Sequence, residues 1–307
     1  MKPRVRISLI TSVLNGEPHV ARMLSSIPAG LPIEHLVVDA GSTDGTLARM
    51  RTTPGIRLLS RPGIPLYAAW NLALERAAGA AVWFVNADDI LPPGAVEAML
   101  DALDRHRHAE IIQGRAEAFV EETAARAGPA SLRYPAPGAT LDPLDLTFGA
   151  PVINARIYRR RLIDRAGPFD TGYRYAADRD WLLRLAFGDS PPTCVGIDAL
   201  VYRYRVHGGS MTLSPDPRRR LAIAEEHRSI AATSFPGAGR DLLTAWEARE
   251  TLVGAAAALR AGHVAAAARN VARLVAGLPP SAGAVARARR YRRAYIRRLD
   301  AHPARPD

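Results

Sequence analysis

The sequence predicts an α/β fold: a mostly parallel sheet flanked by helices, followed by an α-helical C-terminal extension. Within about the first hundred residues, apolar segments of strand length alternate four times with helix-forming segments. The strands are nearly uninterrupted apolar runs, as expected for parallel strands that are covered on both faces. From Pro215 onward the pattern changes to helices rich in Ala and Arg. Alternating strands and helices form parallel sheets with right-handed crossovers, an architecture that commonly binds nucleotides.

The individual elements follow from apolar periodicity and turn residues. We predict strands at 5–13, 33–39, 56–60, 81–85, 111–114 and 116–120, and helices around 20–27, 46–51, 66–78 and 94–105. The segment 128–144, rich in Pro, Gly and Ala, is predicted to be a mobile loop over a site. Later helices are predicted at 218–232, 239–260, 264–276 and 283–299. We therefore expect a domain at 1–214, with halves at 1–93 and 94–214, and an Arg-rich helical extension at 215–307.

Composition and charge narrow the class of protein. The 307 residues are 48% hydrophobic and 23% charged, which is ordinary for a soluble globular protein. The single cysteine, Cys194, excludes an internal disulfide framework and fits a reducing cytoplasm. The apolar N-terminal run is too short to span a membrane, and no other segment is long enough. The net charge of +11 is concentrated at 285–307, which holds eight Arg and two Asp, so we expect contact with an anionic surface there.

The stretch richest in chemical groups is Ala81–Pro92, AVWFVNADDILP. Its apolar strand ends abruptly in Asn86, Asp88 and Asp89. Two adjacent carboxylates at the carboxyl end of a buried parallel strand repel each other, and a divalent cation relieves that repulsion. The pattern predicts a Mg²⁺ or Mn²⁺ site that holds a phosphorylated substrate. The alternative is a helix N-cap, because a Pro-Pro pair opens the next helix, although one Asp is enough for a cap.

Polar residues also follow the earlier strands. Asn15 and Glu17 come after the first strand, Asp39 ends the second, and Arg61 follows the third. Because the carboxyl ends of parallel strands meet at one edge of a sheet, we expect these residues to converge. The glycine-punctuated loop at 41–45 matches neither GxGxxG nor a P-loop, which gives little support to a dinucleotide dehydrogenase or a P-loop ATPase. For Asp39 alone, the alternative is an ordinary turn residue.

Four segments together carry a resemblance to a known family. LITSVLNGEPHV, EHLVVDAGSTDGT, YAAWNLALERAAGA and WFVNADD occur in the order and spacing of the nucleotide half of family 2 glycosyltransferases, which have the GT-A (Rossmann-like) fold. The resemblance covers residues 5–93 and makes 1–93 the nucleotide-binding half and 94–214 the acceptor half. It implies that Thr11 and Asp39 hold the nucleobase, and that Asn86-Ala87-Asp88 is the DxD-like element for the divalent ion and the diphosphate.

This chain departs from the family pattern at two positions of that half. Asn86 replaces the first Asp of the DxD element, which leaves Asp88 and Asp89 as candidates for the ion and the ribose. Ala68 stands where the family usually has Asp, with Asn71 kept, and Arg61 is expected to compensate electrostatically. The predicted nucleotide-sugar site comprises Thr11, Asn15, Glu17, Asp39, Arg61, Asn71, Asn86 and Asp88.

The second half is expected to supply the catalytic base. The segment ADRDWLLRL resembles the acid-rich helix start of the family, whose first Asp is the base, and this position is Asp178. Independently, inverting transfer needs one carboxylate to take the proton of the acceptor hydroxyl, and an Asp in the first turn of an apolar helix can do so. The alternative is that Asp178 caps the helix. Asp180 is expected to pair with Arg184 at i, i+4.

His207 is the third predicted metal ligand, beside Asp88 and Asp89. It lies in YRVHGGS, which resembles the late YR-x-H-x-x-S motif of the family, and it is expected to contact the diphosphate or the metal. A single histidine is otherwise more often a structural hydrogen-bonding group. Family members of this subtype often show His-Gln where this chain has Ile153-Asn154, a change that falls on the acceptor side.

These observations predict an inverting, metal-dependent glycosyltransferase. The expected donor is a nucleoside-diphosphate sugar, the acceptor a saccharide or lipid-linked hydroxyl, and the setting polysaccharide or glycolipid synthesis in the cytoplasm, peripheral to the inner face of the plasma membrane. One alternative is a catalytically degenerate GT-A scaffold protein. Another is a sugar-nucleotide nucleotidyltransferase, which is disfavoured because 14–17 lacks a basic phosphate loop.

The last predicted helix places Ala288, Tyr291, Tyr295 and Leu299 on one face, with arginines around the rest. A basic amphipathic helix with tyrosines suits binding to anionic lipid. The alternative is a helix that packs on the catalytic domain. Nucleic acid is not expected as a partner, because no recognition motif accompanies the charge.

Overall fold

The computed structural model describes residues 5–120, 132–134, 141–207, 209–211, 216–233, 235, 240–276 and 280–301. Most of 128–144, the predicted mobile loop, lies outside the described residues. No helix in the described part of the chain combines the length and apolar character needed to cross a bilayer.

Eight strands form one sheet. They are β1 (Ile7–Val13), β2 (Ile33–Asp39), β3 (Ile56–Ser60), β4 (Ala81–Phe84), β5 (Ile111–Val120), β6 (Leu132–Tyr134), β7 (Arg156–Arg159) and β8 (Cys194–Val206). The order is β3-β2-β1-β4-β7-β5-β6, and β8 pairs with β5. The pairs among β1 to β4 are all parallel, as is β5 with β8, whereas β7 and β6 pair antiparallel with their neighbours. The predicted α/β class with a mostly parallel sheet is confirmed.

The helices that accompany the sheet are α1 (Glu17–Ser25), α2 (Thr46–Thr52), α3 (Leu66–Leu74), α4 (Ala95–Arg105), α5 (Pro143–Phe148), α6 (Arg160–Ala166) and α7 (Ala177–Phe187). They are followed by α8 (Pro217–Ala232), α9 (Arg240–Arg260), α10 (Val264–Ala276) and α11 (Pro280–Ala301). Most bounds agree with the prediction within a few residues. The predicted strands 111–114 and 116–120 are instead one strand, β5, because a bulge around Arg115 bends its pairing with β8 without ending it.

The core of the sheet explains why its strands are uniformly apolar. β4 is buried along its whole length, and the ring of Phe84 stacks on Trp70 of α3 with 4.5 Å between centroids. Phe169 meets both rings at 5.4 Å in edge-on geometry. Aromatic side chains bury large areas and pack favourably in these arrangements. This packing fixes the end of β4, and therefore the start of the acidic loop that follows it.

The chain divides into two compact units. The sheet unit comprises Met1–Thr140, Val152–Arg174 and Pro192–Val206, and the helical unit comprises Leu141–Pro151, Tyr175–Pro191 and His207–Asp307. This grouping differs from the predicted boundary at 214, since α5 and the acid-rich helix α7 belong with the C-terminal helices. The physical reason is a set of contacts from α7 to α5 and α8, described below.

The helical unit packs through small side chains. Leu221 of α8 contacts a buried cluster of Ala257, Ala258 and Ala267 from α9 and α10. Alanine faces allow helices to approach closely, and alanine is also the strongest helix former.

The predicted membrane face of α11 is turned toward the protein. Ala288 is buried, and the ring of Tyr291 packs on Phe148 of α5 with 5.8 Å between centroids. The side chains of Tyr295 and Leu299 lie outside the described part of the structure. The described part of this face therefore packs within the helical unit, and the membrane contact of α11 stays a prediction.

Candidate active site

The loops after β1 and β2 are bound to each other by their own polar groups. The Asn15 side-chain oxygen accepts from the backbone N–H of Thr43 at 2.9 Å, and the Asn15 N–H donates to the Ser42 hydroxyl at 2.9 Å. The Glu17 carboxylate accepts from the N–H of Gly45, also at 2.9 Å. Asn15 and Glu17, predicted to bind the nucleotide sugar, therefore hold the two loops together in this structure.

Two local features make that pairing possible. Asn15 adopts a φ of 51°, in the left-handed region that asparagine tolerates better than most residues. Gly45 leaves room for the Glu17 carboxylate, because a Cβ atom there would lie 2.1 Å from one of its oxygens and would displace it. The loop edge is consequently a fixed surface, built before any ligand arrives.

Asp39 lies at the end of β2 and is fully buried. Its Oδ1 accepts from the N–H groups of Gly41 and Ser42 at 3.0 and 3.1 Å. Its Oδ2 is buried and has no hydrogen-bond partner among the described residues. A buried acceptor without a partner costs about 1–3 kcal/mol, so this oxygen is suited to a donor group on a ligand.

Arg61 continues the same edge. Its backbone N–H donates to the Asp39 carbonyl at 2.8 Å, and its side chain is exposed, with one N–H group on the Ser60 carbonyl at 2.9 Å. Asp39 and Ser60 are register partners in the β2–β3 pair. The structure thus brings the predicted residues Asp39 and Arg61 together.

Thr11 does not reach the surface of this edge. Its hydroxyl donates to the Val85 carbonyl at 2.8 Å and lies 2.9 Å from Nε2 of His35. Because the single hydroxyl proton is used by Val85, the His35 ring must donate from Nε2. Burial lowers the pKa of His35 to about 4, so the ring is neutral at pH 7. Thr11 joins β1, β2 and the end of β4 from inside, and any influence on a nucleobase would be indirect.

Asn71 has a structural function in the described chain. Its side-chain N–H₂ donates to the Phe169 carbonyl, and its side-chain oxygen accepts from the Phe169 N–H, both at 2.9 Å. These two bonds tie α3 to the loop after α6. Both ends of the Asn71 side-chain amide are used in these bonds, and its contact with the nucleotide sugar stays a prediction.

Asp89 is the buried acid of the β4 loop, and three protein groups donate hydrogen bonds to it. One carboxylate oxygen accepts from the Arg205 backbone N–H at 2.7 Å, and the other accepts from the Tyr202 hydroxyl at 2.8 Å and the Asn86 side chain at 2.9 Å. Burial, followed by the nearby charge of Asp88, raises the pKa of Asp89 to about 8. The carboxyl group anchors the loop to β8, and its oxygens are engaged by protein donors.

Asn86 belongs to the same network. Its backbone N–H donates to the Tyr202 hydroxyl at 3.0 Å, and its side-chain oxygen accepts from Asn154 at 3.4 Å. Asn154 also donates to the Phe84 carbonyl at 3.0 Å. Asn86, predicted as part of the nucleotide-sugar site, therefore shapes the loop, and so do Tyr202, Asn154 and Arg205. Sequence reasoning missed the last three, although the Tyr-Arg-Tyr-Arg pattern of β8 marked a strand with polar groups on both faces.

Asp88 is the partly exposed acid of this loop, and its backbone carbonyl accepts from the Arg205 side chain at 2.7 Å. The helix-cap alternative is wrong for both aspartates, because the N-cap residue of α4 is Gly94. A partly exposed carboxylate at a strand end is a hard oxygen ligand of the kind that Mg²⁺ and Mn²⁺ prefer. The residues present therefore fit a divalent ion that takes one protein carboxylate and completes its coordination with ligand oxygens and water.

The predicted metal ligands belong to different units, since Asp88 and Asp89 lie in the sheet unit and His207 in the helical unit. Among the described residues, no group of three or more His, Cys, Asp or Glu side chains could hold a metal ion. Asp89 is committed to the network above. His207 belongs to the helical unit, where its Nδ1 accepts from the Gly209 N–H at 3.2 Å and its backbone N–H donates to the Ser210 hydroxyl at 3.0 Å. Asp88 is partly exposed, as a metal ligand should be, and Asp88, Asp89 and His207 together stay a predicted ligand set.

Asp178 lies in the first turn of α7 and is partly buried. One of its oxygens accepts from the Arg179 N–H at 2.8 Å. The N-cap residue is Ala176, which offers no capping side chain, so the alternative that Asp178 caps the helix is wrong. The predicted pair of Asp180 with Arg184 is confirmed at 2.9 Å.

The start of α7 is held by a residue from α8. The carboxylate of Glu226 accepts from the N–H groups of Tyr175 and Ala176, at 2.8 and 2.9 Å. An acid at this position satisfies backbone donors that a helix start leaves open and interacts favourably with the helix dipole. Sequence reasoning missed Glu226, because its partners lie about fifty residues earlier in the chain.

Arg179 fixes the same helix from the other side. Its guanidinium donates to the carbonyls of Leu146, Thr147 and Gly149 at the end of α5. It also lies over the Trp246 ring of α9, 5.7 Å from the centroid. Asp178 is thus carried by a helix whose position depends on α5, α8 and α9.

The sheet and its loops define a class of protein. Four parallel strands in the order β3-β2-β1-β4, with polar loops at their carboxyl ends, form an α/β domain of the GT-A type, an architecture that commonly binds nucleotides. The family model described as glycosyl transferase family 2 matches residues 8–167, more than half of the chain. The chain belongs to glycosyl transferase family 2. The matched region includes the β4 loop and ends before Asp178 and His207.

The curated relatives include one that is named as a glycosyltransferase. An uncharacterized glycosyltransferase of Mycobacterium tuberculosis (strain H37Rv) is 28% identical over 195 residues, which cover 61% of this chain and 71% of the relative. An uncharacterized protein of Sinorhizobium fredii is 27% identical over 218 residues. That match covers 68% of this chain and 23% of the relative, so the chain spans about a quarter of the length of that protein.

Solved structures share the fold. S. aureus TarS (residues 1–349) in complex with UDP-GlcNAc superposes with a TM-score of 0.59 at 18% identity, covering 85% of this chain and 89% of that one. A mannosyltransferase from Pyrobaculum calidifontis, in complex with GDP-Man and Mn²⁺, has a TM-score of 0.54 at 20% identity, covering 92% and 78%. At these identities the likeness is one of fold.

We expect the stability of the protein to fall as the pH drops from about 6.5 toward 4, in part because of His35. In this pH range the His35 ring binds a proton in the unfolded chain but stays neutral in the folded protein. Its effect is to lower the free energy of unfolding by up to about 1.4 kcal/mol per pH unit. Urea unfolding of the wild type and of His35→Gln at several pH values measures it. The difference in unfolding free energy between them should shrink toward pH 4, and a constant difference would contradict the assignment.

We expect Glu226→Ala to lower the free energy of unfolding by about 1–2 kcal/mol, because the N–H groups of Tyr175 and Ala176 lose their acceptor. Glu225→Ala is the matched control. Glu225 is the adjacent, exposed acid on the same helix, and its removal should change stability by less than about 0.5 kcal/mol. Denaturant titration of both variants measures their free energies of unfolding. If the two variants lose equal amounts, the capping role of Glu226 is refuted.

Proposed function

We propose that this protein transfers a sugar from a nucleoside-diphosphate sugar to an acceptor hydroxyl, with inversion at the anomeric carbon. The observation that carries the proposal is the buried, unpartnered Oδ2 of Asp39, at the same sheet edge as the partly exposed Asp88. One group suits a donor N–H of a nucleobase and the other suits a cation bound to a diphosphate. Complexes of the solved neighbours with UDP-GlcNAc and GDP-Man support this class of donor.

The donor would lie along the edge formed by the β1, β2 and β4 loops. Asp39 accepts from the base, and the exposed Arg61 guanidinium supplies positive charge beside it. Asn15 and Glu17 keep the loops in place, while Asn86 and Asp89 orient the loop that carries Asp88. Because these groups are bonded before the ligand arrives, little conformational entropy is lost on binding.

The proposed cofactor is Mg²⁺ or Mn²⁺, held by Asp88. When bound, the ion neutralises the negative charge that develops on the leaving nucleoside diphosphate. The Mn²⁺ in the mannosyltransferase complex supports divalent metal use in this fold. His207 remains a proposed contact of the diphosphate through the helical unit.

Asp178 is the proposed catalytic base. It takes the proton of the acceptor hydroxyl, which then attacks the anomeric carbon on the face opposite the leaving group and inverts it. Its support is the resemblance of the segment at 177–185 and its position in the first turn of α7. The proposed acceptor is a saccharide or lipid-linked hydroxyl of polysaccharide or glycolipid synthesis.

We expect calorimetric titration with UDP, GDP and dTDP to show binding of one nucleotide that Mn²⁺ strengthens. Asp88→Ala should abolish the effect of Mn²⁺, and Asp39→Asn should weaken the nucleotide about tenfold, since a charged acceptor is lost. Asp101→Ala, an exposed acid on α4, is the control and should bind like the wild type. If none of the nucleotides binds, the transferase proposal fails and a scaffold function replaces it.

We expect Asp178→Asn to reduce kcat by about 10²- to 10⁴-fold, because the acceptor loses its general base. Nucleotide binding should be unchanged, since the donor site is built from other residues. Asp189→Asn, an exposed acid after α7, is the control for charge. Rates of sugar transfer, or of donor hydrolysis, measure the effect. A variant with wild-type kcat would remove Asp178 from the mechanism.

A further inference from the structure

The helical unit exposes an apolar surface on α9 and α10. Seven large apolar side chains are exposed in the described part of the chain, and five of them belong to these two helices. They are Leu252 (44% exposed), Val253 (37%), Leu259 (61%), Val264 (69%) and Val271 (50%). Single exposed apolar residues are ordinary, but a concentration on one element indicates an interaction site.

The geometry of the two helices gathers these side chains. α9 and α10 are joined by a tight turn in which Gly262 has a φ of 76° and the His263 N–H donates to the Ala258 carbonyl at 2.8 Å. Leu252 and Leu259 are seven residues apart, as are Val264 and Val271, so each pair shares one helix face. Alanines on the opposite faces form the buried cluster with Leu221. We name the exposed faces and the turn, 252–271, the apolar hairpin.

The sequence from the apolar hairpin to the end of α11 is strongly positive. From 251 to 301 the sequence has ten arginines and one acidic residue, Asp300. Arg260, Arg269 and Arg273 are exposed on the hairpin helices, and none of them pairs with an acid among the described residues. Arg273 donates to the neutral side chain of Asn270, at 3.0 Å.

The neighbouring helix α11 extends this charge. Arg289, Arg290, Arg292 and Arg293 are exposed, and three of them, with Ala286, line an open depression of about 500 Å³. Arg287 differs from these four arginines, because its Nε lies 3.7 Å from a carboxylate oxygen of Asp241. The inner face of α11 is used for packing, which leaves these guanidinium groups available to an anionic partner.

We propose that the apolar hairpin docks the protein on an anionic lipid bilayer. Leu259 and Val264, beside the turn, enter the interfacial region, and the arginines pair with lipid phosphates. An aliphatic stripe beside unpaired arginines matches the two layers of such a surface, acyl chains below and negative headgroups above. A second copy of the chain would bring the same positive charges together, and nucleic acid offers no partner for exposed Leu and Val side chains.

Vesicle flotation of the full chain tests the proposal. One set of vesicles is phosphatidylcholine alone, and the other contains about 30% phosphatidylglycerol. We expect binding to the anionic set only. Leu259→Ser combined with Val264→Ser, and separately Arg269→Gln combined with Arg273→Gln, should each lower the partition coefficient by about tenfold or more. Arg51→Gln with Arg107→Gln, which removes equal charge from exposed sites of the sheet unit, should change it by less than about twofold.

The other occupants are outcomes that overturn the proposal. If both hairpin variants bind anionic vesicles like the wild type, or if pure phosphatidylcholine binds equally well, the proposal is wrong. If the serine variant converts a dimer to a monomer in light scattering without changing flotation, the surface is a contact between copies. If DNA binds and lipid does not, charge alone is responsible. Circular dichroism confirms that each variant is folded, and nucleotide binding plays no part in any readout.

Discussion

A buried carboxylate anchors the acidic loop on which the proposed donor site depends. Asp89 is 2% exposed, and the cost of burying it is offset by donors from Tyr202, Asn86 and the Arg205 backbone. Two of these donors come from β8. In the sheet, β4 is next to β7, β7 is next to β5, and β8 pairs with β5. The acid beside it, Asp88, owes its position to this anchor. Asp89, which the sequence predicted as a metal ligand, thus orients Asp88, whose carboxylate remains suited to binding a divalent ion.

The same principle extends along the sheet edge. Hydrogen bonds from Asn15, Glu17 and Thr11 connect neighbouring loops and strands, and these bonds hold the edge in place. The second oxygen of Asp39, in contrast, is buried and has no hydrogen-bond partner in the part of the chain that the structure describes. A preorganised surface with one unsatisfied acceptor is suited to selective binding, because little ordering is required of the protein.

The C-terminal helices are part of the architecture that positions α7. Glu226 of α8 accepts from the N–H groups before the helix, and Arg179 joins it to α5 and α9. The sequence suggested an extension attached after a finished domain, since the change in composition near 215 is sharp. Contacts in space cross that position, and composition alone does not report them.

The sequence by itself determined what depends on neighbours along the chain. The apolar runs gave the bounds of β2 and β3, and helical spacing gave the pair of Asp180 with Arg184, because these depend on residues a few positions away. Family motifs located the acidic loop. The bonds of Asp89 to β8, the bonds of Asn71 to Phe169 and the packing of the α11 face were decided by the tertiary fold, since these partners lie roughly a hundred or more residues away in sequence. Local pattern shows which residues can bond, and folding selects the partner.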